Sequence, residues 1–307
     1  MALDAKTLAP EKASLLAYAF LTTTALCWGA NAIFGRLAVG EVSPMLLVSL
    51  RWFGVLLLLA VLARRQVARN EDVLKTHWRY LAVMGALGFT AFNAVYYVAA
   101  HTTTAVNIGI IQGGMPMFVF IGAFLVYRTP VSIVQVLGAI VTMSGVVIVA
   151  SRGSLERLST FDFAEGDLLI LIACAIYSGY TVALRNRPQV PALVMFAALA
   201  GAAFAASLPL VAVEAVFGTF VWPTTTGWII VGLTAIFPSV IAQTCFIKGV
   251  ELIGPGRAGV FINLVPIFAS IMAVGILAEA FRPYHALALV LVLGGIALSE
   301  RSRPRGA

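Results

Sequence analysis

The chain has 307 residues, 61% apolar and only 11% charged, with a formal net charge of +7, a pI of about 9.6 and a mean hydropathy of +0.99. Soluble domains carry roughly 45–50% apolar and about 25% charged residues, and surface-to-volume scaling obliges a chain of this size to supply a large polar surface. This composition therefore excludes a soluble enzyme, a disordered chain, a collagen and a disulfide scaffold, and it requires a lipid bilayer as part of the solvent. The positive charge reads as membrane topology, because cationic residues collect in short cytoplasmic loops; no nucleic-acid partner is expected.

A hydrocarbon core about 30 Å thick needs about 20 helical residues. Ten apolar runs of that order follow one another at 16–35, 44–63, 80–100, 103–126, 131–150, 166–185, 191–213, 227–248, 256–278 and 283–299. They are long and continuous, which predicts helices and not the alternating ten-residue strands of a barrel. The links His101-Thr102 and Thr129-Pro130 are tight, and only 64–79 and 151–165 are long. Ala30-Asn31-Ala32 has the small-x-small form of a signal-peptide cleavage site, but the apolar run continues past Ala32, so the first span is expected to be retained. Cys27, Cys174 and Cys245 each lie inside an apolar run, are odd in number and form no CxxC pair, so neither a disulfide nor a zinc site is expected.

Lys and Arg orient the spans. With a cytoplasmic N-terminus, Lys6, Lys12, Arg64, Arg65, Arg69, Lys75, Arg79, Arg128, Arg185, Arg187, Lys248, Arg257, Arg301, Arg303 and Arg305 fall inside, while only Arg36, Arg152, Arg157 and Arg282 fall outside. That bias predicts both termini in the cytoplasm and an even number of spans.

The chain also matches itself. A shift of 150 lays Pro116 on Pro266, Gly109 on Gly259, Phe118 on Phe268, Ile121 on Ile271, Ala123 on Ala273, Leu137 on Leu287 and Gly145 on Gly295, and a shift of 149 lays Trp28 on Tyr177 and Arg36 on Arg185. The reading is two five-span halves, 1–150 and 151–307. Five is odd, so the second half enters the membrane the other way up, as an inverted-topology repeat; chance matching among Gly, Ala and Leu is the competing reading.

Several short motifs fall at matching places: Trp28-Gly29-Ala30-Asn31 in the first span, Leu50-Arg51-Trp52 in the second, Gly166-Asp167-Leu168-Leu169 opening the sixth, Pro116 and Pro266, and Ala278-Glu279 closing the ninth. With these the chain resembles the drug/metabolite transporter superfamily, specifically its ten-helix EamA-type carriers, over nearly its whole length. It departs from the family pattern where Thr129 stands opposite Glu279. The resemblance implies an all-α bacterial inner-membrane carrier that works as one chain, by alternating access, with a substrate cavity lined by spans one, three, four, six, eight and nine.

Residues inside the spans point the same way. Pro116 and Pro266 each remove a backbone hydrogen bond mid-span, and broken helix is tolerated at membrane depth only inside protein or beside a watery cavity. They are read as hinge or helix-break positions, against the plainer reading of a packing kink; Gly109 and Gly113 read as close helix packing. The expected substrate-binding set is Trp28, Asn31, Asn93, Tyr97, Gln112, Tyr177, Tyr180, Phe237, Gln243, Phe246 and Asn263. Amides at bilayer depth face the bundle interior, and rings stack on a flat or apolar ligand. Each amide is equally able to bond a neighbouring helix, and each ring to fill the core. The 150 shift lays Asn93 on Gln243, which suggests that the two face each other.

No acidic residue lies near the middle of a span, which argues for a neutral or zwitterionic substrate and for passive transport over proton coupling. Arg51 is the one cation well inside a span; it is expected to snorkel outward or to meet a helix end, with a substrate carboxylate as the weaker option. Asp167 reads as a helix-start cap, Lys248 and Glu251 as a surface pair, and His77, His101 and His285 as solvated edge groups. No catalytic motif, metal set or nucleotide-binding segment appears, so no catalytic residue, metal or cofactor is expected. The expected function is secondary transport of small metabolites. The resemblance to the family's aromatic amino-acid and paraquat exporters favours aromatic or hydrophobic neutral amino acids. The alternatives are a broad exporter of flat drugs or purine-like metabolites, or an integral membrane enzyme.

Overall fold

The computed structural model describes residues 10–129, 131–160 and 162–301. Pro130, Lys6, Arg303 and Arg305, used in the reading above, lie outside them. Among the described residues ten helices are long and apolar enough to cross a membrane: α1 (Ala13–Leu37), α2 (Pro44–Leu62), α3 (Trp78–Ala99), α4 (Ala105–Tyr127), α5 (Ile133–Ala150), α6 (Glu165–Asn186), α7 (Ala192–Val216), α8 (Thr225–Ile253), α9 (Arg257–Leu277) and α10 (Pro283–Glu300). There is no β-strand among the described residues. The expected spans are all present, with ends displaced by a few residues; α8 runs five residues further than its hydropathy suggested. The long connection at 64–79 carries two short helices, Arg64–Arg69 and Glu71–Thr76, and the one at 151–165 carries Leu155–Thr160.

Local sequence explains where the helices start. Ser132 and Gln135 form a reciprocal capping box at the head of α5. Thr104 accepts from the Asn107 amide at 3.1 Å at the head of α4, and Thr224 from the Gly227 amide at 3.0 Å at the head of α8. Pro44 stands in the first turn of α2, where a missing N–H costs nothing.

Helix α1 packs on α8 and α9, and α6 packs on α3 and α4; α2 lies on α7, α4 on α9 and α5 on α10. The α5–α10 seam closes on glycine: a Cβ at Gly145 would stand 2.7 Å from the Ala288 carbonyl. Small residues give helices in lipid their closest approach, because no hydrophobic force drives them together there.

Four helices are irregular in mid-membrane. Helix α3 widens to a π-helical segment at Ala86–Ala91 and α8 at Ala235–Ile241. Helix α4 breaks at Gly114, and Pro116 opens its second piece, Met115–Tyr127. Helix α9 tightens to a 3-10 turn at Phe261–Leu264, after which Pro266 opens Val265–Leu277. Segments of this kind turn backbone carbonyls away from the regular ladder and recur at functional sites.

Candidate functional site

The π segments of α3 and α8 flank a buried polar cluster centred on Arg51. This arginine lies seven residues into α2, about 10 Å from its start, and is only 5% exposed. Its Nε donates to Ser239 Oγ at 2.8 Å. Its Nη1 donates to Asn93 Oδ1 at 2.7 Å, Tyr97 OH at 2.6 Å and Asn31 Oδ1 at 3.1 Å. Tyr97 OH in turn donates to Asn31 Oδ1 at 3.0 Å. Arg51 therefore does not snorkel. The expectation failed because a two-turn distance from a helix end is also the depth at which α1, α3 and α8 converge. Four neutral oxygens accept from its Nε and Nη1, and among the described residues no carboxylate pairs with it.

The sequence of α8 prepares its side of this cluster. Pro238 has no N–H to give to the carbonyl of Thr234, four residues back. Ser239 Oγ donates to that carbonyl at 2.9 Å, which leaves its lone pairs free for Arg51. On α3, Asn93 Nδ2 donates to the Phe89 carbonyl at 2.6 Å, inside the π segment, and this turns Oδ1 toward the guanidinium.

Rings surround the polar centre. Trp28 meets Phe246 at 5.4 Å between centroids, Phe34 meets Phe237 at 6.5 Å, and Trp52 stacks on Phe89 at 4.6 Å with the planes 8° apart. Phe92 meets Tyr177 at 4.9 Å, and Tyr177 meets Tyr180 at 5.3 Å. Gly88 is required there, since a Cβ at that position would enter the Tyr180 ring.

Of the eleven expected binding residues, Asn31, Asn93 and Tyr97 meet at Arg51. Trp28, Tyr177, Tyr180, Phe237 and Phe246 lie in the ring pairs around it. Gln112 is half-buried on α4, with a long 3.5 Å contact from Tyr96 OH. Gln243 and Asn263 are half-buried on α8 and in the 3-10 turn of α9, and neither is among the hydrogen-bond partners of Arg51. Asn93 shares no hydrogen bond with Gln243; Arg51 and the Phe89 carbonyl take both ends of its amide. Arg51 and Ser239 fall outside the expected set. The proline before Ser239 was the available signal, because a freed carbonyl needs a nearby hydroxyl.

A second set of polar contacts lies at the end of the bundle formed by residues 38–43, 100–104, 217–224 and 278–282. Glu214, buried in α7, takes Ser43 Oγ at 2.6 Å and the Met45 and Leu46 amides at 3.0 and 3.1 Å, and so closes the head of α2. Glu279 takes the Ala105 and Val106 amides at 2.9 and 3.0 Å at the head of α4, and lies 3.8 Å from Arg36 Nε. Both place a carboxylate on the positive end of a helix. Asp167 is not the cap of its own helix; Ala164 holds that position. Its carboxylate is fully buried and accepts from Thr103 Oγ1 and, at 3.1 Å, from Asn107 Nδ2. Asn107 Oδ1 faces His285 Nε2 at 3.1 Å, and His285 Nδ1 accepts from the Arg282 amide at 3.0 Å. These two contacts fix the tautomer with the proton on Nε2. His285 is thus buried and not solvated, contrary to expectation, because Asn107 on α4 and the Arg282 amide take its two ring nitrogens. Lys248 and Glu251 do form the expected surface pair, at 2.8 Å.

A cavity of about 450 Å³ opens at this same end between Pro44, Met45, Val98, Leu169, Leu210 and Phe217. None of the expected binding residues lines it. Cys27, Cys174 and Cys245 are free thiols, and no group of His, Cys, Asp and Glu able to hold a metal occurs among the described residues.

Ten apolar helices around a buried polar seam define a multi-pass membrane protein of the transporter class. The EamA-like transporter family model matches the chain twice, over residues 15–151 and 164–301, and the chain belongs to that family. It is similar to the "Uncharacterized transporter YyaM" of Bacillus subtilis, 25% identical over 91% of this chain and 92% of that one. It is also similar to the "Aromatic amino acid exporter YddG" of Ancylobacter novellus, 26% identical over 90% of this chain and 94% of that one. The "Uncharacterized inner membrane transporter YedA" of Escherichia coli is 22% identical over 89% and 87%. A solved crystal structure shares the fold, with a TM-score of 0.64 at 22% identity over 96% of this chain and 99% of that chain. The protein is accordingly a multi-pass inner-membrane transporter and not an enzyme.

Proposed function

We propose that the protein carries aromatic or hydrophobic neutral amino acids by alternating access, as a single chain. Two inverted five-helix halves, 1–150 and 151–307, rock about the Arg51 seam, with both termini on the cytoplasmic side. The observation that carries this reading is the shell of rings around one buried polar cluster: Trp28–Phe246 and Phe34–Phe237 on α1 and α8, and Phe92, Tyr177 and Tyr180 on α3 and α6. Such a site offers faces for a ring and polar atoms for a zwitterionic head. The printed name of the Ancylobacter relative supports the same substrate class.

The pairing of helices supports the two halves. Under the 150-residue offset the α1–α8 contact corresponds to α6–α3 and α1–α9 to α6–α4, while α2–α7, α4–α9 and α5–α10 correspond to themselves. The π segments at Ala86–Ala91 and Ala235–Ile241 obey the same offset, as do the breaks beside Pro116 and Pro266. In this reading the breaks act as hinges, and Gln112, Gln243 and Asn263 join the substrate site in another conformation. Glu214, Glu279 and Asp167 sit at one end of the bundle as helix caps and interhelical bonds, away from mid-membrane, which supports passive transport of a substrate without net charge.

The test is uptake into liposomes holding purified protein and no ion gradient, with labelled Phe, Trp, Tyr, Leu, Thr, Glu and a purine. Saturable flux of the aromatic and large neutral members, weakened by Trp28→Ala, is the expected result. Flux of the purine alone would move the substrate to flat heterocycles, and flux only under a proton gradient would end the passive mechanism.

A further inference from the structure

We infer that Arg51 is the carboxylate anchor of the substrate site and therefore a specificity-determining residue: the carrier selects molecules that bear a carboxylate and rejects amines and amides of the same shape. This inference rests on the amino-acid reading above and adds the group that reads the substrate's head.

The first observation is an unneutralised charge. A guanidinium at this depth loses most of its hydration, and a buried cation is ordinarily paired with an acid. Arg51 meets only Asn31, Asn93, Tyr97 and Ser239, all neutral. Hydrogen bonds to neutral oxygens ease its desolvation but leave its full positive charge in a region of low dielectric, where attraction to an anion is strong. Helix α8 departs from regular geometry at Ser239, and α3 does so at Ala86–Ala91, just before Asn93.

The second observation is the donor inventory. Arg51 has five N–H donors. Nε and Nη1 are engaged, while Nη2 has no acceptor among the described residues. Nη2 is also not among the side-chain atoms sealed from solvent without a partner. Among the described residues the one such atom is Trp52 Nε1, on the next residue, and the guanidinium carbon lies 5.2 Å from the centre of the Trp52 ring. The seam thus holds a cation with an open donor edge and, beside it, an indole N–H with nothing to donate to. A carboxylate supplies what the guanidinium lacks, negative charge and up to four acceptor positions on two oxygens. The rings that flank Asn31 along α1, Trp28 one turn before it and Phe34 one turn after, then take the side chain of the same molecule.

The geometry also accounts for the missing intramembrane acid. A carboxylate of the protein beside Arg51 would satisfy the guanidinium internally and leave nothing for the substrate. An unpaired cation makes binding of the anionic group the step that neutralises the seam.

The test uses the wild-type protein in liposomes, with labelled Phe as the tracer. The competitors are unlabelled Phe, 3-phenylpropionate (no ammonium), phenethylamine (no carboxylate) and phenylalaninamide (a neutral amide in its place). Phe and 3-phenylpropionate are expected to compete within about tenfold of each other, and the amine and amide about tenfold to a hundredfold more weakly, the range that a hydrogen bond to a charged group supports. The variant arm is Arg51→Gln beside Arg51→Lys. Gln should raise KM for Phe at least about tenfold and abolish the preference over the amide, while Lys should keep part of it. Equal competition by the amide and Phe on wild-type protein overturns the inference without any variant having to fold. Absence of Phe, Trp and Tyr flux in the wild type instead overturns the amino-acid reading, and this inference with it.

Discussion

Arg51 and Ser239 are separated by 188 residues in sequence and joined by a 2.8 Å hydrogen bond from Nε to Oγ. The bond links α2 to the π segment of α8, directly after Pro238. It depends on three local facts: a proline that frees the Thr234 carbonyl, a hydroxyl one residue later that takes this carbonyl at 2.9 Å, and an arginine with no acid to prefer instead.

The first prediction follows from that proline. Pro238→Ala restores an N–H that can bond Thr234 and draws the segment back toward a regular α-helix, which turns Ser239 away from Arg51. Folding stability should be unchanged or slightly higher, while the flux of labelled Phe falls. An intact flux would mean that the π geometry serves packing alone.

Tyr97→Phe removes an acceptor from Arg51 and a donor from Asn31 in one step. It should destabilise the protein by about 1–3 kcal/mol, the cost of leaving buried polar partners unsatisfied. Denaturant unfolding in detergent, compared with Tyr96→Phe, measures it.

Glu214→Gln replaces a carboxylate that takes three donors at the head of α2 with a group whose amide half cannot accept. A loss of about 1–3 kcal/mol is expected. Glu279→Gln should lose less, because the Glu279 carboxylate takes only two amides. Thermal unfolding of the two variants side by side would show the order, and a reversed order would deny the cap at α2.

A disulfide between Thr103→Cys and Asp167→Cys, in a background without Cys27, Cys174 and Cys245, ties the link before α4 to α6 where the two side chains already touch. Oxidation should stop transport and reduction should restore it. Flux that persists while the bridge is formed would refute rocking between the halves.

Gly88→Ala would push a methyl group into the Tyr180 ring. Overpacking of this kind costs about 1–3 kcal/mol, and the displaced ring should also lower the affinity for aromatic substrates more than for Leu. Competition assays with Trp and Leu separate the two effects.

The ten spans are legible in the sequence because the thickness of the hydrocarbon sets their length and lipid forbids unsatisfied backbone, so continuous apolar runs have one solution. The breaks beside Pro116 and Pro266 are legible for the same reason: a missing N–H acts locally. Asn31, Asn93 and Tyr97 stand out as groups too polar to face lipid at their depth. Arg51 and Asp167 do not yield to such reading. Snorkelling and burial are both open to an arginine two turns inside a helix, and a first-turn aspartate suits its own helix as well as a neighbour's side chains.

Sequence by itself therefore determined the membrane class, the number of spans and the family resemblance, since each depends on local composition or on motifs within one helix. Only the tertiary structure decided that Arg51 is buried without an acid and that Asp167 reaches Asn107 and Thr103. It likewise decided that Glu214 and Glu279 close helices to which they do not belong. Those outcomes depend on which oxygens and amides converge from helices far apart in the chain, and convergence is a property of packing that no single span contains.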